Sequence, residues 1–479
     1  MAENNKRKRV GPTGGQRKRG RIGKTAPPTH DEILGYVPAE DEQDNKDIQD
    51  IQEDQKVQAL PGPCNLAQMF KWPSWYLHQM CKCHSPSYVF DALKSLKWHV
   101  TTAFSGMGCP EIALEMITAG VKALGPDFSD INLAIKYGTS VDKNKECRKV
   151  LMENCKDRCV FGDILDWVAK GKSMRSWELK EVAACECHQK QCHIMAPSND
   201  ATMMKVMVAG PPCTPWSKRG KRKGNKDPQA QTHLVWAKFV LLHRFDIVIF
   251  ECVYDTEVLS NVEKTFGQEY HIKHGKVSAE SLGFCVSRVR LYVIMHRKGK
   301  FQWSQGVSKM SDKSFEDLLV PFARSVSMSV KDTFHLEETE LKAYEGCWDP
   351  SKSLEENLSP SERNFLEEYK KSKPSKVLYD LSQNPKFSPT CELKSGVLPN
   401  LTTNCGSLYS KEVGRTLQWP ELLLAQGVPA TTRASKAAGV GLWTFPVGRS
   451  AKVRMAGNGM HVPSIGLVIL LAMLHLRPM

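Results

Sequence analysis

An apolar run from Met203 to Ala209 lies in the middle of the chain and ends abruptly at Gly210-Pro211-Pro212-Cys213. A nearly unbroken apolar run of this length is typical of a strand buried on both faces, as in a parallel sheet. Because proline fixes φ and has no N–H to donate, the strand must end there. Cys213 is therefore predicted at the carboxyl end of a buried strand, where open α/β sheets bind ligands. The pattern alone allows a nucleophilic thiol or an inert buried cysteine.

Two further segments predict strands that lead into polar turns. Trp98 to Phe104 predicts a strand followed by a glycine turn and, from Pro110, by apolar residues at helical spacing. A strand, a glycine turn and a helix in this order bring backbone amides close to a nucleotide-like ligand. Phe245 to Phe250 predicts a second buried strand, which ends at Glu251. Enough chain separates Cys213 from Glu251 for one crossover helix, so the two residues are predicted at neighbouring strand ends.

The first 60 residues differ from the rest in having few apolar side chains and separated charges. Lys6-Arg7-Lys8-Arg9 and Arg17-Lys18-Arg19-Gly20-Arg21 are basic, whereas the stretch from Asp31 to Asp54 is acidic. Such a composition cannot form a core and predicts disorder. The basic clusters fit a nuclear import signal, a nonspecific nucleic-acid arm or a merely solvated tail.

Composition and charge narrow the class of protein. The chain has 479 residues, a net charge of +14 and a pI near 9.0, which favour a polyanionic partner. Its 16 cysteines follow no small-domain disulfide spacing, and the start of the chain does not resemble a signal peptide, so we expect a reducing, intracellular compartment. The longest apolar run, Val462 to Leu476, is too short to span a bilayer and predicts a buried helix, so no membrane partner is expected.

Two short stretches have the form Cys-x-Cys-His, namely Cys81 to His84 and Cys185 to His188. Thiolates and imidazoles are zinc ligands, and a structural zinc site needs four of them. The two stretches could meet and share a zinc ion through Cys81, Cys83, Cys185 and Cys187. The alternative is that these are ordinary intracellular thiols without a metal.

The segment around Cys213, with Trp216-Ser217 after it, resembles the nucleophile motif of the DNA (cytosine-5) methyltransferases. Further segments resemble motifs of that family and follow the family's order: Phe104 to Gly108, Phe161 to Leu165, Glu251 to Val253, Arg288 to Arg290, Arg415 to Pro429 and Ala456 to Met460. With the strand before the first segment and the helix after the last, they span about residues 98 to 476. The resemblance implies an α/β fold, the Rossmann-like fold of S-adenosylmethionine-dependent methyltransferases, with a small target-recognition domain.

The resemblance also implies roles for particular residues. Cys213 would attack C6 of a flipped cytosine, Glu251 would protonate or hydrogen-bond N3, and Arg290 would hold O2 with support from Arg288. Asp163 would accept from the adenine amino group of S-adenosylmethionine. The expected cofactor-binding residues are Phe104, Gly106, Gly108, Asp142, Asp163, Ile164, Pro211 and Asn458. The basic loop after the nucleophile is expected to contact DNA through Ser217, Lys218, Arg219, Lys221 and Arg222, the alternative being a solvated loop.

Three positions depart from the family pattern, because Ser140, Cys252 and Val286 stand where Glu, Asn and Gln are usual. The predicted organisation is a tail (1–60), a catalytic domain (61–299), a target-recognition domain (300–412) and a return to the catalytic domain (413–479). We therefore predict a nuclear DNA (cytosine-5) methyltransferase acting on duplex DNA. The alternatives are a tRNA cytosine-5 methyltransferase, a catalytically silent DNA-binding adaptor and a zinc-dependent nucleic-acid binder. Protein partners are not predicted.

Overall fold

The structure is a computed structural model, and it describes residues 60–169, 177–198, 200–213, 215, 223–304, 313–386 and 396–479. The predicted N-terminal tail lies outside these residues.

The strands of the described residues, in chain order, are β1 (Leu60–Pro61), β2 (Lys97–Ala103), β3 (Ala134–Val141), β4 (Cys159–Phe161), β5 (Val182–Cys185), β6 (Lys190–His193), β7 (Met204–Ala209), β8 (Ile247–Cys252), β9 (Tyr270–Ser278), β10 (Val289–Arg297), β11 (Phe301–Trp303), β12 (Arg324–Ser325), β13 (Leu378–Asp380), β14 (Leu408–Ser410), β15 (Arg415–Thr416) and β16 (Leu476–Pro478).

The α-helices are α1 (Leu66–Met69), α2 (Trp72–Cys83), α3 (Pro86–Lys94), α4 (Cys109–Lys122), α5 (Pro126–Ser129), α6 (Lys145–Asn154), α7 (Ala230–His243), α8 (Thr256–Phe266), α9 (Glu338–Ala343), α10 (Leu354–Asn357), α11 (Pro360–Ser372), α12 (Trp419–Ala425), α13 (Thr432–Ala438), α14 (Arg449–Asn458) and α15 (Val462–His475).

A nine-stranded sheet organises the molecule, with strand order β6-β5-β4-β3-β2-β7-β8-β10-β9. The five central strands, β4, β3, β2, β7 and β8, run parallel to one another. Antiparallel pairs flank them, with β5 and β6 at one edge and β10 and β9 at the other. The predicted parallel strands therefore form the centre of the sheet, but four of its eight strand pairings are antiparallel, so the sheet is mixed rather than mostly parallel.

Strand β7 shows why the sheet is covered on both faces. Val206 and Val208 belong to one apolar cluster, whereas Met207 and Ala209 belong to the other. Successive side chains of a strand point to opposite faces, so an unbroken apolar run requires two apolar layers. Helices α2 to α4 and α15 supply residues to the first layer, and α7 and α8 supply residues to the second.

The C-terminal apolar run forms the helix that the sequence predicts, and every residue of α15 is buried. Among the described residues, no single helix is long and apolar enough to cross a membrane. Within the described part of the chain, α14 and α15 taken together, bent by 44° at their junction, meet that length and composition.

The predicted recognition segment contains a small core of its own. Strands β13, β14 and β15 form an antiparallel sheet, and Tyr369 and Tyr379 stack at 5.1 Å between ring centroids. Ser359 caps α11 in the capping box that the sequence indicates. Strand β15 lies beyond residue 412, so this sheet crosses the predicted boundary, while β11 pairs with the C-terminal β16. The domain boundaries remain a prediction.

We predict that Gly466→Ala destabilises the protein although alanine favours a helix. A Cβ at Gly466 would lie 2.1 Å from the indole of Trp72, which is fully buried. The overpacking should cost about 1–3 kcal/mol, which exceeds the gain of about 1 kcal/mol from helix propensity. Urea unfolding measures the difference. Gly441→Ala is the control, since nothing lies within 4 Å of its Cβ position. Equal stability of the two variants would contradict the close packing of α2 on α15.

Candidate active site

The turns that follow the central strands lie side by side at one edge of the sheet. The Ser105 N–H donates to Val141 O at 3.3 Å, and the Asp142 N–H donates to Phe161 O at 3.2 Å. The Gly210 N–H donates to Ala103 O, also at 3.3 Å. These bonds tie the ends of β2, β3, β4 and β7 together. The site is therefore built from turns that are distant in sequence.

The glycine turn after β2 is open on one side and packed on the other. Phe104, Gly106 and Gly108 all have positive φ, at 55°, 55° and 96°. Among the described residues, a Cβ on Gly106 would meet nothing within 4 Å, whereas one on Gly108 would lie 2.8 Å from Trp443. The turn thus offers free space above Gly106 for a ligand to approach the backbone.

Asp142 holds this turn from the end of β3. Its Oδ2 accepts from the Gly106 N–H at 2.8 Å, and its Oδ1 accepts from the Asn144 N–H at 2.7 Å. Burial raises the pKa of Asp142, while these two hydrogen bonds act in the opposite direction. Asp142, one of the expected cofactor-binding residues, therefore already stabilises the glycine turn.

Asp163 lies at the end of β4, in the third turn of the row. Its Oδ1 accepts from the Leu165 N–H at 3.1 Å, and its Oδ2 is 3.0 Å from Lys143 Nζ. Ile164, the next residue, is buried. Asp163 remains partly exposed and is placed to accept from a ligand at this edge.

Ser140, which stands where the family usually has a glutamate, lies in a buried network of polar side chains. Ser140 is fully buried, and its hydroxyl lies 2.9 Å from Thr102 Oγ1 and 3.2 Å from Glu111 Oε1. Arg158 Nη1 is 3.0 Å from the same Glu111 oxygen. Glu111 is fully buried and its Oε2 has no hydrogen-bond partner. No local sequence pattern indicates this network, because Glu111 comes from the helix after the glycine turn.

The nucleophile candidate Cys213 is half-buried at the end of β7. His233 of α7 holds the preceding peptide, with Nε2 at 3.1 Å from Pro212 O. Burial raises the pKa of the Cys213 thiol, and the Glu251 carboxylate raises it further, whereas Arg290 and Arg288 lower it. His233, which holds this peptide, was not among the residues predicted from the sequence. Its place in the predicted crossover helix after Cys213 is the sequence feature that could have indicated it.

Glu251 and Arg290 form an ion pair beside the nucleophile strand. Arg290 Nε lies 3.2 Å from Glu251 Oε1, yet this buried oxygen has no properly directed hydrogen bond. Arg288 is more deeply buried and donates to Gly457 O at 3.3 Å. Burial lowers the pKa of Arg288 to about 10, which leaves its guanidinium charged at neutral pH. Arg288 thus contacts the C-terminal segment, and Arg290 contacts Glu251.

The C-terminal segment returns to this edge after α14. A Cβ on Gly459 would lie 2.6 Å from the Met107 side chain, and one on Gly210 would lie 2.4 Å from that of Met460. Gly459 and Met460 therefore pack directly against the glycine turn and the nucleophile strand. Asn458, predicted to bind cofactor, is exposed at the end of α14.

The sequence signature of C-5 cytosine-specific DNA methylase matches residues 104–470, which is well over half of the chain.

The chain belongs to the C-5 cytosine-specific DNA methylase family.

Solved structures with related folds include the Dnmt2 methyltransferase of S. pombe, at 15% identity and a TM-score of 0.46 over 78% of this chain and 98% of that one. The methyltransferase EhMeth of Entamoeba histolytica matches at 15% identity and a TM-score of 0.43, over 78% of this chain and 98% of that one. A DNMT2 mutant of Spodoptera frugiperda matches at 15% identity and a TM-score of 0.42, over 78% of this chain and 99% of that one. No curated protein sequence matches the chain. The family assignment therefore rests on the sequence signature.

Membership of the C-5 cytosine-specific methylases confirms the predicted family and its Rossmann-like α/β fold. The roles of the individual residues stay predictions.

Two departures from the family pattern are now located: Cys252 is buried in β8, and Val286 is buried before β10. The predicted DNA-contacting residues all lie outside the described residues, namely Ser217, Lys218, Arg219, Lys221 and Arg222. Pro211, at the nucleophile turn, is buried.

The predicted metal ligands are corrected by the structure. Cys81 and Cys83 lie at the end of α2, where the His84 ring packs on His475 at 4.8 Å. Cys81 packs against the first apolar layer, whereas Cys185, in the β5–β6 hairpin, belongs to the second, and Cys187 is exposed. The two Cys-x-Cys-His stretches therefore do not meet. Cys185 instead belongs to a different group, with Cys159, His188 and Cys192.

We predict that alkylation of Cys213 by iodoacetamide has a pH midpoint above the value of about 8.5 for a free cysteine. The thiolate is the reactive form, and burial together with Glu251 raises the pKa of this thiol. Glu251→Gln removes one negative charge and should lower the midpoint. Mass spectrometry of the Cys213 peptide measures the rate at each pH.

Glu269→Gln is the matched control, because Glu269 precedes β9 at the opposite end of the strands. It should leave the midpoint unchanged. A midpoint that does not respond to Glu251→Gln would show that the carboxylate does not act on this thiol.

Proposed function

We propose that this chain is a DNA (cytosine-5) methyltransferase that uses S-adenosylmethionine and attacks a flipped cytosine through Cys213. The observation that carries the proposal is the position of Cys213 beside the Glu251–Arg290 pair and next to the glycine turn. A thiol, an acid and a cation at one sheet edge are what addition to a cytosine ring requires.

Cytosine C5 is a poor nucleophile until C6 bears an electron-rich substituent. The Cys213 thiolate would form a bond to C6, which makes C5 nucleophilic enough to accept a methyl group. A base then removes the C5 proton, and the electrons of that bond expel Cys213 as a thiolate. Since these positions are inaccessible in a stacked duplex, the target base must leave the helix.

Glu251 and Arg290 would act on the opposite side of the ring. Among the described residues, none donates a well-directed hydrogen bond to the buried Oε1 of Glu251, so a base N–H or a proton shared with N3 would satisfy it. Arg290 would then offset charge on the base O2.

The open face of the glycine turn fits the methyl donor. Gly106 allows close approach to the backbone, and Asp142 and Asp163 end the two neighbouring strands. S-adenosylmethionine supplies the methyl group when it is bound at this edge. Asp163 would hold its adenine amino group and Ile164 would pack beside it. A structural zinc ion would be a second cofactor outside this chemistry.

A DNA substrate is supported by charge and by the size of the recognition segment. The net charge is +14, and basic residues follow the nucleophile directly. Residues 300–412 include a separate aromatic core, around Tyr369 and Tyr379, that can carry loops to a duplex. With the basic clusters of the tail, which lie outside the described residues, these features favour duplex DNA in the nucleus. A tRNA substrate would use the same catalytic residues.

We predict that Asp163→Ala weakens binding of S-adenosylmethionine by about 1–3 kcal/mol, because the adenine amino group of the bound cofactor loses its hydrogen-bond acceptor. Isothermal titration calorimetry measures the affinity. The control is Asp166→Ala, since Asp166 is exposed in the same turn. An unchanged affinity in Asp163→Ala would place the adenine contact elsewhere.

The substrate is tested with duplex DNA that contains 5-fluorocytosine. Fluorine at C5 leaves no proton to remove, so Cys213 should stay covalently attached to the base. We expect an adduct that survives denaturing electrophoresis, that forms only with S-adenosylmethionine and that is absent in Cys213→Ala. Adduct formation should decrease as salt rises, because phosphate contacts release counterions.

The other outcomes identify the alternatives. An adduct with fluorinated tRNA but not with DNA would replace the DNA proposal by an RNA methyltransferase. No adduct with either, together with measurable binding of S-adenosylmethionine, would indicate a catalytically silent adaptor. Cys252 and Val286 would then be the positions to restore.

A further inference from the structure

Four potential metal ligands lie together at the edge of the central sheet, away from the catalytic residues. The ligand atoms of Cys159, Cys185, His188 and Cys192 all lie within 4.8 Å of one another. The His188 Nδ1 atom is 3.6, 3.4 and 3.6 Å from the sulfurs of Cys159, Cys185 and Cys192. One imidazole nitrogen has a single donor or acceptor site, so hydrogen bonding cannot account for three such contacts.

These distances match the edges of a zinc tetrahedron. Zinc binds thiolate sulfur at about 2.3 Å and imidazole nitrogen at about 2.0–2.1 Å. Tetrahedral angles then place sulfur and nitrogen about 3.6 Å apart. Three thiolates and one imidazole also complete a structural site, which leaves no position for water.

The strand pattern explains why these three cysteines converge. Phe161 pairs with Cys185, and Ala183 pairs with Cys192. Side chains two residues apart share a face of a strand. Cys159 therefore lies on the same face as Phe161 and diagonal to Cys185, while Cys192 is diagonal to Cys185 on the other side. His188 comes from the turn between β5 and β6.

The hairpin that carries these ligands also contacts the proposed cofactor pocket. Glu186, between two of the ligands, lies 2.7 Å from Arg148 of α6. Arg148 Nη1 donates to Asp142 O at 2.9 Å and to Lys143 O at 2.7 Å. Asp142 in turn accepts from the glycine turn. A continuous set of contacts therefore runs from the cysteine group to Gly106.

We propose that Cys159, Cys185, His188 and Cys192 bind one Zn²⁺ ion that fixes the β5–β6 hairpin to β4 and thereby positions Glu186, Arg148 and the Asp142 turn. The effect on S-adenosylmethionine rests on the proposed function, whereas the metal site does not. The ion is structural and takes no part in methyl transfer.

Metal content is the first test and needs no cofactor. Elemental analysis of the untagged full chain should find about one equivalent of zinc. Substitution with Co²⁺ should give the absorption of a tetrahedral thiolate site. Cys192→Ser should weaken metal binding by roughly tenfold or more and reduce the sulfur-to-cobalt band.

Two cysteine variants are matched controls. Cys187→Ser lies in the same hairpin but outside the group, and Cys83→Ser removes a ligand that sequence spacing had suggested. Both should keep the metal and the full cobalt spectrum. A folded preparation that takes up no zinc from solution would overturn the site, as would loss of zinc in Cys187→Ser with retention in Cys192→Ser.

Glu186→Gln tests the connection to the pocket without removing a ligand. It should keep one zinc ion but weaken S-adenosylmethionine binding by about threefold, since the ion pair is partly exposed. The control Glu181→Gln, on the approach to the hairpin, should change neither. Normal zinc content with unchanged cofactor affinity in Glu186→Gln would overturn the positioning role. Normal zinc content in a wild-type chain that binds no S-adenosylmethionine would refute the proposed function and the positioning role but support the metal site.

Discussion

Parallel strands end at the same edge of a sheet, and this constraint determines where the glycine turn, the two aspartates, the nucleophile and Glu251 lie. The chain visits that edge after β2, β3, β4, β7 and β8, with the intervening helices on the two faces. Each visit leaves a polar turn, and backbone hydrogen bonds of 3.2–3.3 Å tie the ends of β2, β3, β4 and β7 together. Strand order therefore brings together the glycine turn, Asp142, Asp163, Cys213 and Glu251, which are distant from one another in sequence.

The antiparallel edges complete what the central strands begin. Strand β10 runs against β8 and places Arg290 beside Glu251. On the opposite edge, β5 and β6 bring the cysteine group against β4 and place Glu186 on Arg148. The two edges support different parts of the site, since one serves the proposed base-binding side and the other the proposed cofactor side.

The departures from the family pattern have local physical consequences. Ser140 has a short neutral side chain where an acid is usual, and Glu111 brings a buried carboxylate to its hydroxyl, paired with Arg158. A buried charge without its partner would be strongly unfavourable, so Glu111 and Arg158 depend on each other. Cys252 replaces an amide with a small apolar side chain and packs in the second apolar layer.

The sequence by itself determined the family, the buried strands β2, β7 and β8 and the buried C-terminal helix, because unbroken apolar runs and the glycine and proline turns after them are local signals. It also placed Cys213 and Glu251 at strand ends. Only the tertiary structure decided which thiols meet. The repeated Cys-x-Cys-His form suggested Cys81 and Cys83 as partners of Cys185, yet strand pairing selects Cys159 and Cys192 instead. Likewise the contacts of Glu111 with Ser140, and of His233 with Pro212, join distant segments. Such contacts depend on strand order and register, which no local pattern encodes.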